Sequence, residues 1–214
     1  MSTPMDQELL DRLQAEALAR AADADAAHDA LHVRRVMANA RRIAIAEGAD
    51  VDVAVTAAML HELFNHPKDH PDSSRSGEVC AEHALVLLRA HGFDDAFSER
   101  VAYCIRVHAF SSGISPETLE ARVLQDADRL DAIGAIGVAR CFATTATMRR
   151  PFYAADDPFC RARPPEDKLW AVDHFYKKLL RIGDGLHTAT ARALADERIA
   201  FLRQFLDQLE REIG

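Results

Sequence analysis

His61 and Glu62 stand side by side at the end of an apolar stretch, Ala57-Ala58-Met59-Leu60-His61-Glu62-Leu63-Phe64. A buried helical face is served better by leucine or alanine than by an imidazole and a carboxylate. His32 lies upstream in Leu31-His32-Val33-Arg34-Arg35-Val36, and Asp128 downstream in Gln125-Asp126-Ala127-Asp128-Arg129-Leu130-Asp131. Imidazole nitrogen suits Zn, Mn, Fe or Co, and carboxylates add charge and hard oxygen. Two histidines and two acids make a mixed N/O site that leaves positions for water and phosphate oxygens. A divalent ion there lowers the pKa of its water, as metal-assisted hydrolysis requires. Taken singly, each of these residues is equally a hydrogen-bonded core group. Their order, and the helical setting of all four, point to one divalent metal ion per chain: Mn, Mg, Fe or similar.

The elements that must position them read as helices nearly everywhere. Residues 5–22 and roughly 30–47 are amphipathic, the second stopped by Gly48. Asp52 is placed to cap a third helix that runs to about Phe64. Asn65 to Ser76 is a polar loop with Pro67 and Pro71. Gly77 to His91 and residues 95–109 follow as helices. Ser115-Pro116-Glu117-Thr118 starts the next, with Ser115 as cap and Pro116 in the first turn, and that helix continues with a bend to about Met148. Residues 149–165 are irregular, with Pro151, Pro158, Pro164 and Pro165. Helices at about 166–181 and 188–212 close the chain. No segment alternates with period two over enough residues for a sheet. The expectation is an all-α, single-domain helical bundle of about eight helices over 1–214, with a core at 25–148 and a C-terminal helical extension at 166–212.

Composition narrows the function. The 214 residues are 49% hydrophobic and 28% charged, an ordinary globular balance, and the formal net charge is −8 with no block of Lys or Arg. Binding of nucleic acid through a broad basic face is therefore disfavoured. No run of about 18 apolar residues is present for a membrane span. The first residues lack the basic start and apolar stretch of a signal peptide. Cys80, Cys104, Cys141 and Cys160 are far apart, without C-x-x-C, and read as thiols of a reducing cytoplasm.

With its residues in view, the chain resembles the HD-domain metal-dependent phosphohydrolase superfamily, whose pattern is His, then His-Asp, then a distant Asp. It looks most like the small bacterial nucleotide-diphosphatase-type branch. His28-Asp29-Ala30-Leu31-His32-Val33-Arg34-Arg35-Val36 resembles that branch's entry helix, and Ala57 to Phe64 its second helix. Pro67-Lys68-Asp69-His70-Pro71 with Ser74-Arg75-Ser76 resembles the following loop. His108-Ala109-Phe110-Ser111, Ile114 to Glu120, the long stretch Gln125 to Phe142, and His174 to Leu180 complete the likeness, which covers nearly everything from about residue 25 onward. The resemblance implies that His32, His61 and Asp128 take metal-ligand places. It implies hydrolysis of a nucleoside triphosphate to monophosphate and pyrophosphate. The chain departs from the pattern at Glu62, where the superfamily has Asp. A carboxylate is retained, one methylene farther from the backbone.

Other residues complete a reading of the site. His108, one helix before Asp128, can shuttle a proton, bind phosphate or cap its helix. Lys68 and Arg75 are cations in the loop after His61-Glu62 and can grip phosphate oxygens, or stand solvated. Arg129 adjoins Asp128 but points about 100° around the helix, toward substrate or a salt bridge. Gly134-Ala135-Ile136-Gly137 reads as close helix packing rather than a dinucleotide fingerprint, since no strand precedes it. Arg149, Arg150, Arg161 and Arg163 flank a loop with Phe152, Tyr153 and Phe159, either a nucleotide-contacting lid or, preferably, a packed surface loop. The reading is a phosphohydrolase with metal ligands His32, His61, Glu62 and Asp128, catalytic His108, and substrate contacts from Lys68, Arg75 and Arg129. Its partner is a small phosphate substrate, a nucleotide, rather than nucleic acid or membrane, and the protein is a monomer or homodimer. Two other readings stay open: another HD-type enzyme (nucleotidase, phosphodiesterase or iron oxygenase), or a nucleotide-binding protein whose site Glu62 has detuned.

Overall fold

A computed structural model describes residues 7–20, 29–66, 70–109 and 113–214. Among them all regular structure is helical: α1 (Gln7–Arg20), α2 (Ala30–Glu47), α3 (Val51–Leu60), α4 (Ser76–Ala90), α5 (Asp95–His108), α6 (Leu119–Asp131), α7 (Gly134–Thr147), α8 (Ala171–Lys177) and α9 (Ala189–Ile213). Short 3₁₀ turns cover Ser73–Arg75 and Leu179–Gly185. The all-α expectation holds. No described helix is long and apolar enough to cross a membrane. Two compact units divide the chain within α6, one up to Asp128 and one from Arg129 onward. The sequence-based core of 25–148 takes in the first unit without α1 and the start of the second.

In the first unit, α3 packs against α2 and α5, and α4 against α5. Alanine makes this close: Ala54, Ala57 and Ala58 of α3 are fully buried beside Val53 and Leu60. The buried stripe of α2 is His32, Val33, Val36, Ala40, Ile43 and Ala44, the repeat of a helix with one face inward. His32 heads that stripe. Its helix is capped by Asp29, whose carboxylate accepts from the His32 backbone N–H, and ends at Gly48 in the left-handed conformation, φ 74°. At the crossing of α4 and α5, a Cβ on Gly77 would lie 2.9 Å from the Arg106 carbonyl oxygen, so glycine sets that approach.

Several boundaries differ from the sequence reading. The cap of α3 is Asp50, not Asp52: its carboxylate accepts from the N–H groups of Asp52 and Val53. That helix stops at Leu60, so His61 and Glu62 lie in the turn beyond it rather than inside a helix running to Phe64. Thr118 caps α6 in place of Ser115, its hydroxyl accepting from Ala121 N–H at 3.2 Å, because two further residues of loop follow Pro116 before the helix starts. The long bent helix to Met148 is two helices, separated at Ala132–Ile133. Gly134, φ 75°, and Gly137, whose Cβ would lie 2.3 Å from the Ala132 carbonyl oxygen, allow the tight turn there.

The second unit packs α7 against α9 and α8. Phe142, Phe152, Phe175 and Phe205 form its aromatic cluster, with centroids 5.0–6.2 Å apart. The expected helix at 166–181 shrinks to α8 because Asp173 is committed to the preceding loop. Its fully buried carboxylate accepts from Arg163 Nη2 at 2.9 Å and from Glu166 N–H at 2.6 Å, and Arg163 lies 4.4 Å over the Trp170 ring. The loop is thus packed down, as the preferred sequence reading had it. Burial pushes the Asp173 pKa up, but hydrogen bonds from Arg163 and Glu166 outweigh it and hold the carboxyl below its usual range. The folded pKa is depressed, so the stabilisation is present above the unfolded value of about 3.9 and is lost as pH falls through the folded value. Asp173→Asn is expected to cost about 3–5 kcal/mol near neutrality by stranding Arg163. It should also flatten the loss of stability below about pH 4, as read by denaturant titrations at stepped pH.

Candidate metal centre

Three elements of the first unit converge on one point. The start of α2 supplies His32, the turn after α3 supplies His61 and Glu62, and the end of α6 supplies Asp128. Hydrogen bonds across helices fix the third against the others. Asn39 Nδ2 of α2 donates to the Ala127 carbonyl at 3.2 Å, and Gln125 Nε2 of α6 to the Val107 carbonyl of α5 at 3.2 Å. At the far end of α3, Asp50 N–H donates to Glu120 of α6 at 3.1 Å. The turn carrying His61 is held from α4, where the buried Cys80 thiol donates to the carbonyls of Leu60 and His61 at 3.4 and 3.3 Å. Burial pushes that thiol's pKa up to about 12, so Cys80 is a structural donor and not a nucleophile.

His32 Nε2 lies 3.3 Å from His61 Nε2 and 3.6 Å from Asp128 Oδ1. One ligand atom from each of His32, His61 and Asp128 falls within 4.8 Å of the others. Two ligands each about 2.1 Å from one ion lie roughly 3–3.5 Å apart at octahedral to tetrahedral angles, so the set fits a single divalent cation. Glu62 stands outside that mutual group but reaches both histidines, its Oε1 3.7 Å from each Nε2. Its side chain is 10% exposed, that of Asp128 34%, so the acids flank the side open to solvent while both imidazoles are buried. With Glu62 as a fourth donor the set would be N₂O₂, of the kind hydrolytic metal sites use.

The tautomer of His61 is set by its backbone. Nδ1–H donates to the Ala58 carbonyl at 2.7 Å, leaving the Nε2 lone pair toward His32 and the acids. Burial pulls the His61 pKa down to about 4, helped by His108 and His32 and opposed by Glu62 and Asp128. The imidazole is neutral near pH 7, the form that binds metal. His108 repeats the arrangement. Its Nδ1–H donates to the Ile105 carbonyl at 2.6 Å, and its ring meets His61 edge to face at 5.4 Å.

The structure therefore brings together His32, His61, Glu62, Asp128 and His108. It places Arg75 elsewhere in its interactions: the guanidinium, 62% exposed, pairs with Glu78 at 3.3 Å. Arg129 donates to the Gly185 carbonyl within the second unit. Lys68 lies outside the described residues, as do His28, Phe110 and Ser111. Sequence reasoning missed Asn39, Gln125, Cys80 and Asn65, whose side chain holds Glu62 at 3.3 Å. Asn39 and Gln125 carried the one available signal, amides on otherwise core-facing helical positions.

Comparison with known proteins gives the same outline. The HD domain family profile matches residues 30–133. The uncharacterized protein YpgQ of Bacillus subtilis is 35% identical over 195 residues, covering 89% of this chain and 87% of YpgQ. The crystal structure of YpgQ in complex with ADP superposes with a TM-score of 0.74 and 33% identity, covering 96% of this chain and 95% of that one. An HD-superfamily hydrolase of Bacillus thuringiensis superposes with a TM-score of 0.73 and 28% identity, covering 96% and 97%.

His61→Ala is expected to abolish binding of Mn²⁺ and to lower the melting temperature of the metal-loaded protein toward that of the metal-free protein, since the ion ties α2, α6 and the α3 turn together. Glu62→Gln is expected only to weaken binding, since a neutral amide is a poorer ligand. Elemental analysis after dialysis, with calorimetric titration of Mn²⁺, reads both; two equivalents of metal per chain, or none, would refute a single-ion site.

Proposed function

The chain belongs to the HD-domain superfamily, whose fold supports metal-dependent phosphohydrolysis, and on that premise we propose that it hydrolyses nucleoside triphosphates to the monophosphate and pyrophosphate. The observation that carries the hydrolytic part is the cluster of His32, His61, Glu62 and Asp128 around one point, with two buried imidazoles and acids on the solvent side. The nucleotide part is supported by the YpgQ relative, whose structure contains ADP.

His32, His61 and Asp128, with Glu62, would hold a divalent ion; when bound it supplies Lewis acidity toward a phosphate oxygen and acidifies its water. Mn²⁺ is proposed for this role because the N₂O₂ set suits borderline and hard divalent ions alike. The chain's own residues do the rest. With both histidines in their ligand form, the two carboxylates bring formal charge −2 to the site, matching a divalent cation and keeping a polyphosphate from entering without one. His108, committed at Nδ1 to Ile105, keeps Nε2 for holding or moving a proton beside the reacting phosphate. Lys68 and Arg75 are assigned to phosphate oxygens and Arg129 to a substrate contact. For Arg75 this requires exchange of its exposed Glu78 partner, an inexpensive step for a surface ion pair.

A panel of nucleoside triphosphates incubated with the protein and Mn²⁺, with products resolved by phosphorus NMR, tests the reading. Monophosphate and pyrophosphate are expected. Release of inorganic phosphate with the diphosphate left behind would assign a triphosphate phosphatase, phosphate release only from added monophosphates a nucleotidase, and nucleotide binding without turnover a detuned binding protein. His108→Ala is expected to lower kcat by about 10²–10⁴ while metal affinity is kept, and to remove one limb of the pH–rate profile. An unchanged profile would take His108 out of proton transfer.

A further inference from the structure

Glu62 is longer than the Asp of the superfamily pattern by one C–C bond, about 1.5 Å, and gains one more rotatable bond. It also stands on weak ground. α3 ends at Leu60, and Leu63 N–H reaches back to the Leu60 carbonyl at 3.2 Å, so Glu62 sits in a turn with no following helical turn (i+3, i+4) beside it. A flexible carboxylate in that position would sample many rotamers, and each would carry the oxygen to a different place. Yet Oε1 lies equidistant from the two ligand nitrogens, 3.7 Å from each. The contact that accounts for this is at the other oxygen: Asn65 Nδ2 donates to Glu62 Oε2 at 3.3 Å. The carboxylate is thus divided, one oxygen toward the histidines and one held by the amide three residues on.

We propose that Asn65 is a positioning residue that holds Glu62 in its ligand geometry, offsetting the extra methylene by which this chain departs from the Asp pattern. The inference rests on the metal reading of Glu62 given above. Asn65 touches neither metal nor substrate; it acts through the carboxylate. An aspartate at position 62 would draw its oxygens back toward the backbone and out of reach of the Asn65 amide. The length of Glu62 and the presence of Asn65 are therefore one feature, and a change at either alone breaks it. Outer partners of ligating carboxylates act in this way, fixing orientation without adding a bond to the ion.

The test is a double-mutant cycle on the full chain, read by calorimetric titration of Mn²⁺ and by thermal melts of the metal-free protein. Asn65→Ala is expected to weaken Mn²⁺ binding about 10–100-fold, the range for lost outer partners of metal ligands. Its metal-free melting temperature should stay at the native value, because the amide is exposed. In the Glu62→Asp background the same Asn65→Ala change is expected to weaken binding by less than about 2-fold, since the shorter carboxylate has no contact left to lose. An equal loss in both backgrounds would overturn the proposal, assigning Asn65 to the turn itself. So would a loss that tracks a lowered metal-free melting temperature. Glu62→Gln separates the two levels of inference. If it binds Mn²⁺ as tightly as the native chain, Glu62 is not a ligand and the metal reading fails with the proposal. If it weakens binding while Asn65→Ala does not, only the role of Asn65 is overturned.

Discussion

Two buried imidazole nitrogens 3.3 Å apart are the constraint on which the site of the first unit depends. His61 Nε2 presents a lone pair because Nδ1 has given its hydrogen to Ala58. In its ligand form His32 Nε2 presents another, and two lone pairs at that distance repel unless a proton or a cation lies between them. Neither imidazole can relieve the conflict by moving into water, since both are buried. The neighbouring carboxylates sharpen the demand for positive charge. The geometry of α2, the α3 turn and α6 is consistent with this demand at every level. The stripe of α2 begins on His32, the alanines of α3 allow a close crossing, and the amides of Asn39 and Gln125 lock α6 in register.

Glu62 illustrates how a departure from a pattern is absorbed. A longer acid inside a helix would be flanked by turns on both sides, but past the end of α3 only the preceding turn remains. The burden falls on turn residues and on what packs behind them, the Cys80 thiol for the backbone and the Asn65 amide for the carboxylate. The site is built as much by hydrogen bonds to a turn as by the helices that flank it.

Much of this was legible in the sequence. The order of His32, His61, Glu62 and Asp128 in apolar helical settings carried the site, because a carboxylate and imidazoles on core-facing positions are costly without a purpose. Helical periodicity carried the fold class. Helix ends were read less well. Asp50 and Asp52, or Ser115 and Thr118, offer the same capping chemistry within a few residues, and only the tertiary path decides between them. The short α8 was hidden because Asp173, a helix-compatible residue in isolation, is drawn to Arg163 by a contact between residues ten apart. Asn65 was invisible for a related reason: an amide in a polar loop is the commonest of residues, and its meaning comes only from what it touches.

The place where α3 stops has an electronic consequence. A helix leaves its last carbonyls without intrahelical partners, and they carry the partial negative charge of its C-terminus. At the end of α3 the Ala58 carbonyl is taken by His61, and at the end of α5 the Ile105 carbonyl by His108. Each ring therefore sits on the negative pole of a helix through its Nδ1–H, which fixes the tautomer and leaves the opposite nitrogen to face the site. One more turn on α3 would hand the Ala58 carbonyl to a backbone N–H and leave the tautomer of His61 unset. Helix length here chooses which nitrogen faces the site.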